Sequence, residues 1–278
     1  MSSEIDPAPA VRRLEVRSGP ELPRELAFEH WEAQMIETYF PLAVAPLEAP
    51  EFHGAITHAR YGAVDVTTVG SAPQQVRLTD RLIAGADDEY LLASICVRGR
   101  GRLHLDDRIA EIGPGEMVFF GSSRELHWEF DRDWEKTVLQ VPLSQLRDHS
   151  GLTLADVPLA VTVPNAGPAA VVSGFFRRLA DLQQREPDSA ALLAEPALDL
   201  LAAAVSLAGG HTPPNRTALA RERVLAFMRA ECADPDLSVD RIAQACMLSR
   251  RALYRLFDGL EGGPAAALRR IRTEHAAH

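Results

Sequence analysis

Residues Gly101 to Gly121 read GRLHLDDRIAEIGPGEMVFFG. Successive side chains of an extended chain alternate, so Leu103 and Leu105 fall on one face and Arg102 and His104 on the other. Asp106-Asp107 suits a hairpin turn, and Gly113-Pro114-Gly115 ends the returning strand before MVFF opens the next. On either side, FHGAITHARYGAVDVTTVG from Phe52, EYLLASICVRG from Glu89, RELHWEF from Arg124 and KTVLQVPL from Lys136 repeat this β-branched and aromatic character between breaks. Short strands at this spacing, with no helical pattern between them, predict an antiparallel β-barrel of jelly-roll type over residues 26–167 and argue against a βαβ fold. Residues 1–25 are polar and proline-bearing, and a flexible segment is expected there.

From Ala169 the period becomes helical. Val172, Phe175, Phe176, Leu179 and Leu182 recur at spacings of three and four, with Arg177, Arg178, Asp181 and Arg185 opposite. A second helix is predicted from about Ser189 to Ala208. Its Leu192, Leu193, Leu198, Leu200, Leu201 and Val205 cover too wide a surface for one stripe, so residues 168–208 are expected to form a helical dimerisation region. The stretch AGGHTPPN, Ala208 to Asn215, stops the helix and keeps the chain extended, which marks residues 209–216 as a linker.

Residues 217–278 read as an all-helical unit. Leu219, Val224, Phe227 and Met228 share one side of a helix over about 218–230. Ser238 to Phe257, SVDRIAQACMLSRRALYRLF, then spells two short amphipathic helices around a tight turn at Met247-Leu248. Ser238 and Ser249 are placed to cap them, and Ile242, Ala243, Cys246, Leu253, Leu256, Phe257 and Leu260 to pack them. That pattern is a helix-turn-helix, which lays one helix across a DNA backbone and inserts the next into the major groove. Packing leaves Arg250, Arg251, Tyr254 and Arg255 outward, beside Ser249 at the helix start. An arginine fork binds the O6 and N7 edge of guanine bidentately, so Arg251 and Arg255 are expected on base edges and Arg250 on a phosphate.

Composition narrows the function. The 278 residues are 46% hydrophobic, enough for two domains with real cores. The formal charge of −10 is unevenly spread: Arg216 to His278 holds 11 Arg and 8 acidic residues, net +3, leaving −13 on residues 1–215. Only the C-terminal part is therefore expected to face nucleic acid. Cys96, Cys232 and Cys246 sit among apolar neighbours, as in a reduced cytoplasmic protein without a disulfide framework. No secretory signal pattern opens the sequence, and no run reaches the roughly 20 apolar residues of a membrane helix. Phosphate-binding glycine loops, nucleophile elbows and zinc-type cysteine spacings do not occur, so no catalytic residue and no cofactor are expected.

Leu237 to Val239, Ile242-Ala243, Ser249, Leu253-Tyr254-Arg255, Phe257, Gly262, Pro264 and Leu268 to Arg272 together resemble the first half of the DNA-binding domain of AraC/XylS-family transcription regulators. The family's complete domain has two helix-turn-helix units joined by a long helix. Residues 28–142 resemble the cupin-like sensor domain carried by many of its members, and residues 169–208 its dimerisation helices. The resemblance implies a two-domain α+β protein that binds promoter DNA, forms a homodimer, responds to a small organic effector and contacts RNA polymerase. Two departures stand out. Met247 occupies a turn position that is usually Gly, and the sequence ends at His278 inside the linking helix, as a truncated or naturally shortened regulator would.

A sensor pocket is expected in the barrel interior, apolar with a few convergent polar groups. Tyr90, His104, His127 and Trp128 are the candidate effector-binding residues. Metal-dependent cupins carry two near-adjacent His, a Glu and a later His, whereas here only His104, Glu111 and His127 come forward; no metal is expected. Two rival readings remain open: a dimerising protein that antagonises a full-length regulator without reading DNA, and a metal-dependent cupin enzyme with a helical tail.

Overall fold

The computed structural model describes residues 10–47, 49–85, 88–194, 196–210, 216–246, 248–257 and 262–276. The chain divides into two compact units, Met1–Pro213 and Pro214–His278. The expected turn residue Met247, the core position Leu260 and most of the expected linker, 211–215, lie outside the described residues.

The first unit contains β1 (Arg12–Arg17), α1 (Arg24–Thr38), β2 (Ala43–Pro46), β3 (His53–Tyr61), β4 (Val64–Ser71), β5 (Gln74–Leu78) and α2 (Asp80–Ile83). It continues through β6 (Tyr90–Arg98), β7 (Gly101–Leu105), β8 (Arg108–Ile112), β9 (Met117–Gly121), β10 (Leu126–Phe130) and β11 (Trp134–Pro142). The helices α3 (Leu143–Ser150), α4 (Gly167–Arg185), α5 (Pro187–Leu193) and α6 (Ala197–Ala208) complete it.

The strands form two antiparallel sheets, ordered β1-β3-β4-β11-β6-β9 and β2-β5-β10-β7-β8. The expected barrel is therefore corrected: the two sheets are separate and do not close into one barrel. Alternation sets what lies between them. In β7, Leu103 and Leu105 are buried and Arg102 and His104 half-buried, and β10 repeats this with Leu126, Trp128 and Phe130 against His127 and Glu129. The β7–β8 hairpin turns at Asp106-Asp107, with Asp106 at a φ of 52°.

Helices close both sides of the larger sheet. Trp31 of α1 packs over Gly54 and donates from Nε1 to Gln74 Oε1 at 2.8 Å, tying that helix to the smaller sheet. On the opposite face, α4 buries Val172, Phe176 and Leu179, and Gln183 Nε2 donates to the Val66 carbonyl at 3.2 Å. Two further expectations change. Residues 12–17, expected to be flexible, form β1 and pair with residues 53–58 of β3, because Leu14 and Val16 alternate with charged neighbours. The single helix expected over 189–208 is split into α5 and α6, since Pro196 cannot donate a helical hydrogen bond and sits at the N-cap of α6.

The second unit has α7 (Arg216–Ala230), α8 (Val239–Ala245), α9 (Arg250–Leu256) and α10 (Gly263–Ala276). Val224, Met228, Leu237, Ile242, Leu253, Phe257 and Leu268 share its core. Ser238 and Ser249 cap α8 and α9, accepting from the backbone N–H of Arg241 and Ala252 at 3.3 and 3.1 Å. Among the described residues no single helix is long and apolar enough to cross a membrane.

Candidate functional site

Between the sheets lies a cavity of about 40 Å³ lined by residues of α1, β5, β6, β9, β10 and β11, with Tyr39, Phe40 and Leu42 between α1 and β2. Its walls are mostly apolar, and a single charged side chain lines them. Lys136 enters from β11, where Trp134, Lys136 and Val138 alternate toward the interior, just after a register shift at Glu135/Lys136. The residue is 8% exposed. Its ammonium stands 4.1 Å from the centre of the Trp128 ring, 5.0 Å from that of Phe130 and 5.3 Å from that of Trp134. These rings form a stack, Trp128 to Phe130 at 5.4 Å and Phe130 to Trp134 at 3.9 Å.

Among the described residues Lys136 makes no hydrogen bond and no ion pair. The aromatic faces offer partial negative charge but no anion. Burial therefore pushes its pKa down from 10.5 to about 7, with Cys96 across the sheet opposing the shift. The indole N–H groups of Trp128 and Trp134 are likewise buried and without partners. The cavity thus gathers donors, and no carboxylate is among its lining residues.

Of the residues expected to bind an effector, only Trp128 lines this cavity. Tyr90 begins β6, with its backbone N–H on Ser122 Oγ and its hydroxyl 3.4 Å from Asp88. His104 and His127 pair across β7 and β10 on the outer face of the smaller sheet, their rings stacked at 5.5 Å. Glu129 joins them there, accepting from His104 Nε2 at 3.2 Å and standing 3.9 Å from His127 Nδ1. Ligand atoms of these three residues lie within 4.8 Å of one another, a set a divalent cation could use.

Glu111 is not part of that set; it holds Arg102 at 3.0 Å. Arg102 also reaches the same Glu129 oxygen at 3.3 Å, so a guanidinium already occupies the carboxylate. Burial raises the Glu129 pKa, but hydrogen bonds and charge from His104, His127 and Arg102 bring it below the usual carboxylate range. His127 is depressed by burial and by Arg77.

In the second unit, Arg250, Arg251, Tyr254 and Arg255 are all exposed on α9. Arg250 is held by Asp240 of α8 at 3.0 Å and lies over the Tyr254 ring at 6.0 Å. Arg251 and Arg255 have no counter-ion among the described residues. Ser249 spends its side-chain oxygen on the α9 cap. Behind this surface, Arg272 of α10 donates to the carbonyls of Cys232, Asp234 and Leu237, at 3.1, 2.6 and 3.4 Å, and so pins the turn that leads into α8.

The sequence model of the AraC-binding-like domain matches residues 31–205. The chain belongs to this family. The match begins within α1, runs through β2 to β11 and ends within α6, and it bears out the AraC-family resemblance. A protein of Bacillus sp. (strain OxB-1), called "Uncharacterized protein in nit 5'region", is 26% identical over 229 residues, covering 78% of this chain and 86% of its own. Among solved structures, the AraC-like transcriptional activator CuxR matches with a TM-score of 0.57 at 18% identity over 95% of each chain, which shows a shared fold. The first unit is accordingly an AraC-type, cupin-like sheet domain followed by helices.

Lys136 is the residue that pattern reading passed over. One signal for it was present: it is the only lysine of the chain, beside 28 arginines, and it falls inside a strand.

Proposed function

We propose that this protein is a cytoplasmic, DNA-binding transcription regulator whose sheet domain senses a small organic molecule and whose C-terminal unit reads promoter DNA. The observation that carries the proposal is the α9 face: two short capped helices pack through Ile242, Leu253 and Phe257 and leave Arg251, Tyr254 and Arg255 exposed together. Membership of the AraC-binding-like family supports the regulatory reading, as does the shared fold with a transcriptional activator. In this reading α8 lies across the backbone and α9 enters the major groove. Arg251 and Arg255 take base edges, and Arg250 exchanges Asp240 for a phosphate.

A homodimer would present two such helices to paired half-sites. Val171 on α4 and Leu192 and Leu193 on α5, 72%, 80% and 54% exposed, support a second copy as the cover for these helices. Effector binding in the sheet domain then changes DNA affinity by favouring one placement of the two reading units. RNA polymerase is the partner through which bound regulator would act on transcription.

Fluorescence anisotropy on the chain's own upstream DNA and on a scrambled duplex, across a salt series, tests this. Tighter binding to the native fragment is expected, with Arg251→Ala and Arg255→Ala each losing about 1–3 kcal/mol and relaxing preference at one base position. Equal or absent binding would leave instead a dimerising protein that acts without sequence readout.

A further inference from the structure

A chain that uses arginine everywhere else places its single lysine between two sheets, among aromatic rings. We infer that the interior cavity takes a small organic monoanion, a carboxylate with an apolar tail, whose carboxylate pairs with Lys136 Nζ beside the Trp128 ring. The inference rests on the sensor reading of the sheet domain and names what that sensor recognises.

The donor inventory carries the argument. Around the cavity, Lys136 and the indoles of Trp128 and Trp134 are donors without acceptors, and no carboxylate lines the walls. A neutral guest would leave the ammonium unpaired, and an inorganic dianion would be costly against walls of Leu92, Phe120 and Val138. A volume of about 40 Å³ accommodates a carboxylate head, while Met35 and half-buried Tyr39 and Phe40 offer an apolar seat for a short tail.

Protonation follows from the same geometry. The titratable groups facing Lys136 are Cys96, whose thiol burial pushes up to about 11, and Tyr39, whose phenol burial also pushes up. Neither is anionic near neutrality, so the guest is the only anion the ammonium can meet. Above the pKa of about 7 in the empty site, binding RCOO⁻ draws one proton from solvent onto the Lys136 amine.

The full chain with isotopically labelled lysine gives one side-chain nitrogen signal, because there is one lysine. Acetate, butyrate and benzoate are titrated against acetamide, butyramide and benzamide below and above neutral pH. Saturable shifts of that signal by the acids, with about tenfold or greater preference over the amides, are expected. The preference should weaken as pH rises and, followed by calorimetry because the variant carries no lysine to label, vanish in Lys136→Met, whose folding is checked by circular dichroism. Equal binding of acids and amides, survival of the preference in Lys136→Met, or no acid response overturns the inference. Anisotropy on DNA with the same sample separates the two claims. Sequence-specific DNA binding without acid preference removes the anion site and keeps the regulator. Acid preference without sequence-specific binding does the reverse.

Discussion

Lys136 Nζ lies 4.1 Å from the centre of the Trp128 ring with no carboxylate beside it among the described residues. A lysine whose pKa is about 7 in the folded protein and 10.5 in the unfolded chain costs stability fully below pH 7, and the cost fades as pH rises toward 10.5. Lys136→Met, similar in volume, is therefore expected to stabilise the protein by roughly 1–4 kcal/mol at neutral pH. Urea unfolding at several pH values measures this. An advantage that grows with pH would contradict the buried-ammonium account.

The entry of α1 onto the larger sheet depends on Gly54. A Cβ there would meet the Trp31 ring at 2.5 Å, in a position where a rigid indole cannot step aside. Gly54→Ala is expected to destabilise the first unit by about 1–3 kcal/mol and to loosen the Trp31 bond to Gln74. Thermal unfolding unchanged from the parent would mean that α1 adjusts freely.

Arg272 holds three carbonyls of the turn before α8, so Arg272→Met should weaken the C-terminal unit by about 1–3 kcal/mol. The chain's tryptophans, Trp31, Trp128 and Trp134, all lie in the first unit. Helical signal by circular dichroism should fall earlier on heating while the tryptophan fluorescence transition stays in place. Joint movement of both signals would refute a local role.

On the outer face of the smaller sheet, Arg102 and His104 share one oxygen of Glu129. Freeing that oxygen should favour a cation at His104, His127 and Glu129, so Arg102→Ala is expected to tighten zinc binding by about tenfold. Calorimetry on both proteins decides. No gain would show that the guanidinium does not control the site.

Much of this was legible in one dimension, and the reason is periodicity. The alternation at Arg102 to Leu105 puts Leu103 and Leu105 inside, and Asp106-Asp107 makes the hairpin. The spacing of Val172, Phe176 and Leu179 made α4 recognisable, as Ser238 and Ser249 did the two short helices. These are local rules, in which neighbours along the chain fix backbone conformation and face. Local rules also erred where a residue was overlooked: Pro196 breaks the expected long helix, and Leu14 and Val16 build an edge strand in a segment read as flexible.

Faces are local, but what a face meets is not. That His104 and His127 point away from the cavity, that Glu129 joins them across two strands, and that the two sheets stay separate followed only from strand order. Lys136 shows the limit most clearly. Its position in a strand was readable, and so was its uniqueness among the basic residues. Its burial was not, because desolvation and the three aromatic rings come from strands β10 and β11 folding over the interior, and only the tertiary structure brings a lone ammonium and a cavity without a carboxylate together.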